Sequence, residues 1–353
     1  MRRDVTRMEE VMEKARKYLE DKTQPSIPLP LSYMEELEII WGKRWGAQSE
    51  IGRLEEVLVQ RPGEEVAPPM EHLAWYQFRI RPNPEKYQEE HQKFVEGLKG
   101  EGVKVHYISP PQHWLMKEPY GVQHVRMAGG ARDPGLVANG GAIVGRMSLP
   151  YRRGEEYWWS KAVMELGCPI LCTVRGNGTF EGGNVVWLDP SHVCIGRSAR
   201  TNQDGIDQVT TILKTLDPPV EEVEVVPIPG WLRNLDWPAG GFAHLDCVFS
   251  YVDDGLAVIY PPGVPYDFIE YLKEKDLNLI EAPPDEAKNM ACNTLALEPG
   301  KIMMIAGFEK TQGMLEKEGV EVIPIEYMQK AAVGGGPHCA ANPLIRRPGP
   351  RLQ

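Results

Sequence analysis

A polar residue followed by a strand, a turn and a second strand occurs four times in succession, and this repetition limits the fold more than any other feature. Asp133 opens the run 134–145, a hairpin pattern with its turn at Asn139-Gly140. Glu181 opens 182–196, His244 and Asp246 head 247–260, and Asn293 opens 294–305. Helical sequence follows three of the four units, over 155–166, 203–215 and 267–275. The heads recur about every fifty to sixty residues. Equivalent positions of a rotationally repeated fold face a common axis, so polar heads at strand beginnings are expected to converge on one cavity. The repeat predicts a pseudo-symmetric α/β propeller with a single active site at its hub.

Upstream, 53–63 is a β-branched run stopped by Pro62-Gly63, residues 84–99 read as a helix, and 103–108 as a strand. These form a further strand, helix, strand unit. Residues 4–20 carry apolar residues at helical spacing (Val5, Met8, Val11, Met12, Ala15, Leu19), and the Pro-rich stretch 23–30 ends that helix. Two parts are therefore expected: an N-terminal helical extension over 1–45, placed to cover a surface or a partner subunit, and one catalytic domain over 46–353. A homo-oligomer is compatible with this reading.

The chain has 353 residues and a formal net charge of -11, which disfavours a sequence-independent grip on nucleic acid. No window approaches the eighteen uninterrupted apolar residues of a membrane span, and Met1-Arg2-Arg3-Asp4-Val5 leads into charged helical sequence rather than a signal core. A cytoplasmic protein without membrane or nucleic-acid partners is expected. Six cysteines are scattered along the chain, unlike a small disulfide scaffold, and Cys168 and Cys172 lack the further Cys or His pair of a zinc site.

Near the C-terminus, Gly334-Gly335-Gly336-Pro337-His338-Cys339 places a thiol behind three glycines, which let the chain pass close to a ligand. Cys339 is thus a candidate nucleophile. Taken singly, each head also has an ordinary structural reading: Asp133 and Glu181 as turn residues, His244 as a satisfied core histidine, Asn293 as a strand cap. Together they carry charge to the same place in successive units, which a purely structural account leaves unexplained.

Glu181-Gly182-Gly183-Asn184, His244-Leu245-Asp246, Asn293-Thr294-Leu295 and Gly335-Gly336-Pro337-His338-Cys339, in this order, resemble the guanidino-group-modifying enzymes. That superfamily comprises arginine deiminases, dimethylarginine dimethylaminohydrolases and amidinotransferases. The resemblance spans roughly residues 46–347, beginning at Ser49-Glu50-Ile51. It implies an α/β fold, the five-bladed pseudo-symmetric α/β propeller (pentein) with a central active site. It also implies that Cys339 attacks a guanidinium carbon to form a covalent thiouronium-type intermediate, with His244, Glu181 and Asp133 as its catalytic partners. His244 would shuttle protons, and Asp133, Glu181 and Asp246 would hold the guanidinium. No metal and no organic cofactor are required. The residue types suit the chemistry: carboxylates grip a planar, N–H-rich cation bidentately, and a thiolate is the reactive form of cysteine.

Arg152 and Arg200 lie where deiminases place arginines for the substrate carboxylate, and Asn184 is the remaining expected substrate-binding position. Three departures are visible. Deiminases usually carry Asp where this chain has Asn184, and Arg five residues before the cysteine where it has Gly334. The segment 75–82 is Trp-Tyr-Gln-Phe-Arg-Ile-Arg-Pro rather than an acidic loop. The leading expectation is a hydrolase cleaving a C–N bond of arginine or a related guanidino or amidine small molecule. The alternative is an amidinotransferase, in which an acceptor amine replaces water on the same intermediate. A third reading is a non-catalytic guanidinium-binding protein, which would have no use for the thiol. Asn293 receives no functional role.

Overall fold

The computed structural model describes residues 9–13, 15–17, 20, 31–63, 66, 73, 76, 78, 80–108, 130–229 and 242–352. Five three-stranded sheets repeat one pattern: an antiparallel hairpin, then a helix, then a third strand parallel to the second. In the second sheet, β3 (Gly135–Ala138) and β4 (Gly141–Val144) are joined at Asn139-Gly140, and helix α3 (Glu155–Glu165) leads to β5 (Ile170–Thr173). The third consists of β6 (Val185–Asp189), β7 (His192–Arg197), α4 (Gln203–Leu213) and β8 (Glu222–Pro227). The fourth contains β9 (Phe249–Asp253), β10 (Leu256–Ile259), α5 (Tyr266–Glu274) and β11 (Asn278–Glu281). A short helix α6 (Pro284–Ala287) precedes the fifth: β12 (Leu295–Glu298), β13 (Lys301–Ile305), α7 (Glu309–Lys317) and β14 (Glu321–Ile325).

The first sheet closes the ring. After helix α1 (Tyr33–Ile40), β1 (Leu54–Gln60) is followed by α2 (Pro84–Gly100) and the parallel strand β2 (Lys104–Ile108). Its hairpin partner is supplied from the other end of the chain. Beyond α8 (Met328–Ala332) and the single turn α9 (Pro337–Ala340), β15 (Ala341–Arg346) pairs antiparallel with β1, Val57 facing Pro343. The architecture is the five-bladed pseudo-symmetric α/β propeller, as the repeat and the resemblance both predicted.

Local chemistry accounts for the helices. Asn83 caps α2 by accepting the Lys86 N–H at 2.9 Å, with Pro84 at the first helical position. Tyr87, His91, Phe94, Val95 and Leu98 then form one buried stripe. In α4 the cap is Asn202, and Ile206, Val209 and Leu213 turn inward together. Burying such apolar side chains is worth about 1.5–3 kcal/mol each, enough to fix which helix face meets its sheet.

The expected helices at 84–99, 155–166, 203–215 and 267–275 are present within one or two residues of their predicted ends. Helices α1, α6, α7, α8 and α9 were not expected; α7 completes the unit headed by Asn293, and α1 lies just past the Pro-rich stretch. Of the expected helix at 4–20, residues 9–13, 15–17 and 20 are helical, and the remainder lies outside the described residues, as does the Pro-rich stretch 23–30. All six cysteines are free thiols. Among the described residues no helix is long and apolar enough to cross a membrane.

Candidate active site

Every head residue lies at the beginning of the innermost strand of its sheet. Asp133 stands two residues before β3. Glu181 and His244 each lead a single 3-10 turn (Gly182–Asn184 and Leu245–Cys247) into β6 and β9. Asn293 stands two residues before β12, and Cys339 lies in the one-turn helix that opens into β15. Hydrogen bonds run from each head segment to the next. The Arg132 N–H donates to the Cys339 carbonyl at 3.3 Å, and the Gly182 N–H to the Asp133 carbonyl at 2.8 Å. The Leu245 N–H donates to Asn184 Oδ1 at 3.1 Å. Asn293 Nδ2 donates to the Asp246 carbonyl at 3.0 Å, and the Cys339 N–H donates to Asn293 Oδ1 at 3.1 Å. The five joints form a closed circle, so the heads are held at fixed separations around the hub.

Two networks meet there. In the first, His244 Nε2 lies 2.8 Å from Glu181 Oε2, and its Nδ1 is 3.7 Å from Asp133 Oδ1. Only glycine fits between them at position 183, since a Cβ there would approach Asp133 Oδ1 to 2.6 Å and the His244 ring to 3.0 Å. Burial disfavours the imidazolium, but Asp133 and Glu181 outweigh it and raise the His244 pKa above the ordinary histidine value. Burial likewise pushes Glu181 up, yet Arg200 and His244 bring it down to about 2. Asp133 is also depressed: burial opposes its charge, while His244 and Arg152 favour it more strongly.

In the second network Cys339 is buried, and its Sγ faces Asp246 Oδ2 at 3.4 Å and Asn293 Nδ2 at 3.2 Å. Asp246 Oδ2 also contacts His338 Nδ1 at 2.7 Å, and His338 Nε2 contacts Glu50 Oε1 at 2.8 Å. Arg132 backs Glu50 at 3.3 Å. Burial pushes the Cys339 thiol well above its usual value, Asp246 and Asp133 add to that, and Lys330 opposes it.

The arginines and Asn184 occupy particular places. Arg152 Nη1 donates to Asp133 Oδ2 at 2.8 Å and lies 3.4 Å from Glu181 Oε2. Its remaining edge grips Glu155, Nη2 to Oε2 at 2.8 Å and Nε to Oε1 at 3.1 Å. Arg200 Nη1 reaches Glu181 Oε2 at 3.4 Å. Both guanidinium groups therefore contact the carboxylates of the hub. Asn184 Nδ2 donates to Thr201 Oγ1 at 2.9 Å and Ser198 Oγ at 3.3 Å, and its Oδ1 takes the Leu245 N–H. Its amide joins neighbouring units. Of the segment 75–82, residues 75, 77 and 79 lie outside the described residues. Tyr76 and Phe78 pack with Tyr151, whose hydroxyl donates to the Tyr76 carbonyl at 3.2 Å, directly beside Arg152.

Asp133, Glu181 and His244 present donor atoms within 4.8 Å of one another, as do His244, Asp246 and Cys247. In the first group His244 pairs with both carboxylates. Sequence reasoning left out Glu50, Arg132, Glu155, His338 and Lys330. His338 lies next to the thiol within the motif that carries it, and Glu155 is buried beside Arg152.

Comparison with known proteins gives the family. The family model described as arginine deiminase matches residues 131–264 and 264–346. A 2-nitroimidazole nitrohydrolase from Mycobacterium sp. (strain JS330) is 29% identical over 274 residues, covering 75% of this chain and 70% of the relative. An arginine deiminase from Listeria welshimeri is 24% identical over 254 residues, 61% of this chain and 60% of the deiminase. Among solved structures, a dimethylarginine dimethylaminohydrolase from Pseudomonas aeruginosa complexed with citrulline superposes with a TM-score of 0.64 at 21% identity, covering 82% of this chain and 99% of its own. An amidinotransferase from Microseira wollei gives 0.69 at 19% identity, over 88% and 98%. At these identities the solved structures speak for the fold, whereas the family model covers more than half the chain and includes every head. The chain belongs to the arginine deiminase family, within the guanidino-group-modifying superfamily.

Proposed function

We propose that this protein is a cysteine hydrolase that cleaves a C–N bond of arginine or a related guanidino compound. The observation that carries the reading is the convergence of a thiol (Cys339), a histidine held between carboxylates (His244) and two further carboxylates (Asp133, Asp246) on one hub. A guanidinium bound in the plane of Asp133 and Asp246 turns its carbon toward Sγ. The Cys339 thiolate attacks that carbon, and the His244 imidazolium gives its proton to the departing nitrogen, leaving a covalent thiouronium. Neutral His244 then takes a proton from water as the hydroxide adds, and collapse returns the thiolate and releases a ureido product. Glu181 keeps the imidazole oriented and stabilises its charged form. Arg152 now neutralises Asp133, so an incoming guanidinium exchanges for it charge for charge and frees its Nη1, with Arg200, for a substrate carboxylate.

That same neutralisation favours a second reading. With Asp133 already paired, the hub also suits an uncharged amidine-type carbon bearing a leaving group, the class to which 2-nitroimidazole belongs; a relative carries that activity in its name. Product chromatography after incubation with L-arginine, with and without glycine, and separately with 2-nitroimidazole, tests these readings. Citrulline and ammonia in both arginine samples support hydrolysis. Ornithine appearing only with glycine would establish transfer instead, and nitrite from 2-nitroimidazole with arginine untouched would establish the second reading. Cys339→Ser is expected to abolish turnover, and undiminished turnover would remove the thiol from the mechanism.

A further inference from the structure

Each positively charged group at the hub has a carboxylate partner, with one exception. Arg152 is held by Asp133 and Glu155, Arg200 by Glu181, Arg132 by Glu50, and the two histidines by Glu181 and Asp246. Lys330, on α8, is 5% exposed, and among the described residues its ammonium carries no hydrogen bond or ion pair. The chain after α8 folds back over it: the Gly335 N–H donates to the Lys330 carbonyl at 3.2 Å, and Gly334 turns at a φ of +86°. A Cβ built on Gly335 would meet Lys330 Nζ at 3.0 Å and the Cys339 Cβ at 3.0 Å. The Lys330 Nζ and the cysteine side chain therefore flank the same glycine.

An unpaired ammonium in a buried site is costly, and so is a buried thiolate. Each is what the other lacks. The charged and titratable groups that face Lys330 are Cys339, Asp133, Arg152 and Glu155 around the hub, and His91 from α2. Asp133 and Glu155 are committed to Arg152, and across the thiol Asp246 is committed to His338. We propose that Lys330 is a positioning residue that holds Cys339 as a thiolate, the buried ammonium serving as counter-ion to Sγ. Burial favours the neutral Lys330 amine and the neutral Cys339 thiol alike, so the step is a proton transfer between them: the S–H bond breaks, the proton passes to the uncharged Lys330 Nζ, and a thiolate and an ammonium form together. This assignment rests on the reading of Cys339 as the nucleophile.

Alkylation of Cys339 by iodoacetamide, followed as a function of pH by mass spectrometry of its peptide, tests the pairing without any substrate. Lys330→Met is expected to move the inflection upward by about one pH unit or more, while Lys330→Arg, which keeps a cation, leaves it close to that of the unaltered protein. An unshifted inflection in folded Lys330→Met overturns the proposal. Should Lys330→Met not fold, the reciprocal measurement serves: the Lys330 amine resonance in an NMR titration, assigned by its absence from Lys330→Arg. Its midpoint is expected to fall in Cys339→Ser, and an unchanged midpoint would equally overturn the pairing. Failure of the parent reading looks different, because undiminished turnover by Cys339→Ser removes the nucleophile while leaving the thiol's titration as it is.

Discussion

Asn293 holds Cys339 by both ends of one amide: its Oδ1 accepts the cysteine N–H at 3.1 Å while its Nδ2 donates to Sγ at 3.2 Å. The same Nδ2 donates to the Asp246 carbonyl at 3.0 Å. One side chain thus fixes the thiol relative to the carboxylate beside it. Asn293→Ala is expected to lower kcat by about 10²-fold, because a small displacement of a nucleophile from its attack geometry has effects of that size, with KM nearly unchanged. Steady-state kinetics beside a urea unfolding curve separate this from a loss of fold.

In the proposed mechanism, the His244–Glu181 contact favours the charged form of the imidazole that protonates the departing amine. Glu181→Gln removes one of the three carboxylates that raise the His244 pKa, the one hydrogen-bonded to it, so that pKa falls toward the ordinary value as burial gains weight. The alkaline limb of the pH–kcat profile is therefore expected to move to lower pH, by about one unit, with a loss of about tenfold or more at neutral pH. An alkaline limb that stays in place would show that His244 is not the group titrating there.

Glu50 predicts an acid-sensitive fold. Burial raises its pKa, but Arg132 and His338 outweigh it and bring it from 4.5 to about 2. A depressed carboxylate adds stability above its unfolded pKa and loses it as pH falls through the folded one, here between 4.5 and about 2. His338 has the opposite sign: burial lowers its pKa and Arg132 lowers it further, but Glu50 and Asp246 raise it above 6.5, so its contribution is complete below 6.5 and lost as pH rises through the raised value. Glu50→Gln is expected to destabilise the fold by about 3–5 kcal/mol at neutral pH, since buried Arg132 loses its carboxylate and His338 keeps only Asp246, and to flatten the acid limb. Urea midpoints measured across pH check both.

Arg152 and Glu155 form a buried pair, so removing one partner is expected to cost more than removing both. Arg152→Met should destabilise by about 3–5 kcal/mol, and the double variant Arg152→Met/Glu155→Gln should recover part of that. A double-mutant cycle on urea unfolding free energies reads the coupling. Additive losses would show that the two side chains act independently of each other.

The strands and the positions of the heads were legible because alternating apolar runs begin just after Asp133, Glu181, His244 and Asn293, and local sequence carries that signal. Helix α7 was not, because only Thr311 and Leu315 are buried on it and no apolar stripe marks it. The pairing of His338 with Glu50 joins positions 288 residues apart, which no local pattern encodes. Spacing brought Arg152 to the hub but could not say where its guanidinium points. That direction depends on Glu155, whose burial follows from the packing of α3 rather than from its own neighbours in sequence.

The pairing of β15 with β1 has a consequence for how the molecule is made. Synthesis delivers β1 before and β15 after the other described strands, so during elongation the first sheet waits with one hydrogen-bonding edge bare. The turn that carries Cys339 emerges immediately before the strand that covers that edge. A nascent chain interrupted upstream of this point is at once an open ring and a chain without its reactive thiol, and any quality-control protein that recognises exposed strand edges would remove the two defects together.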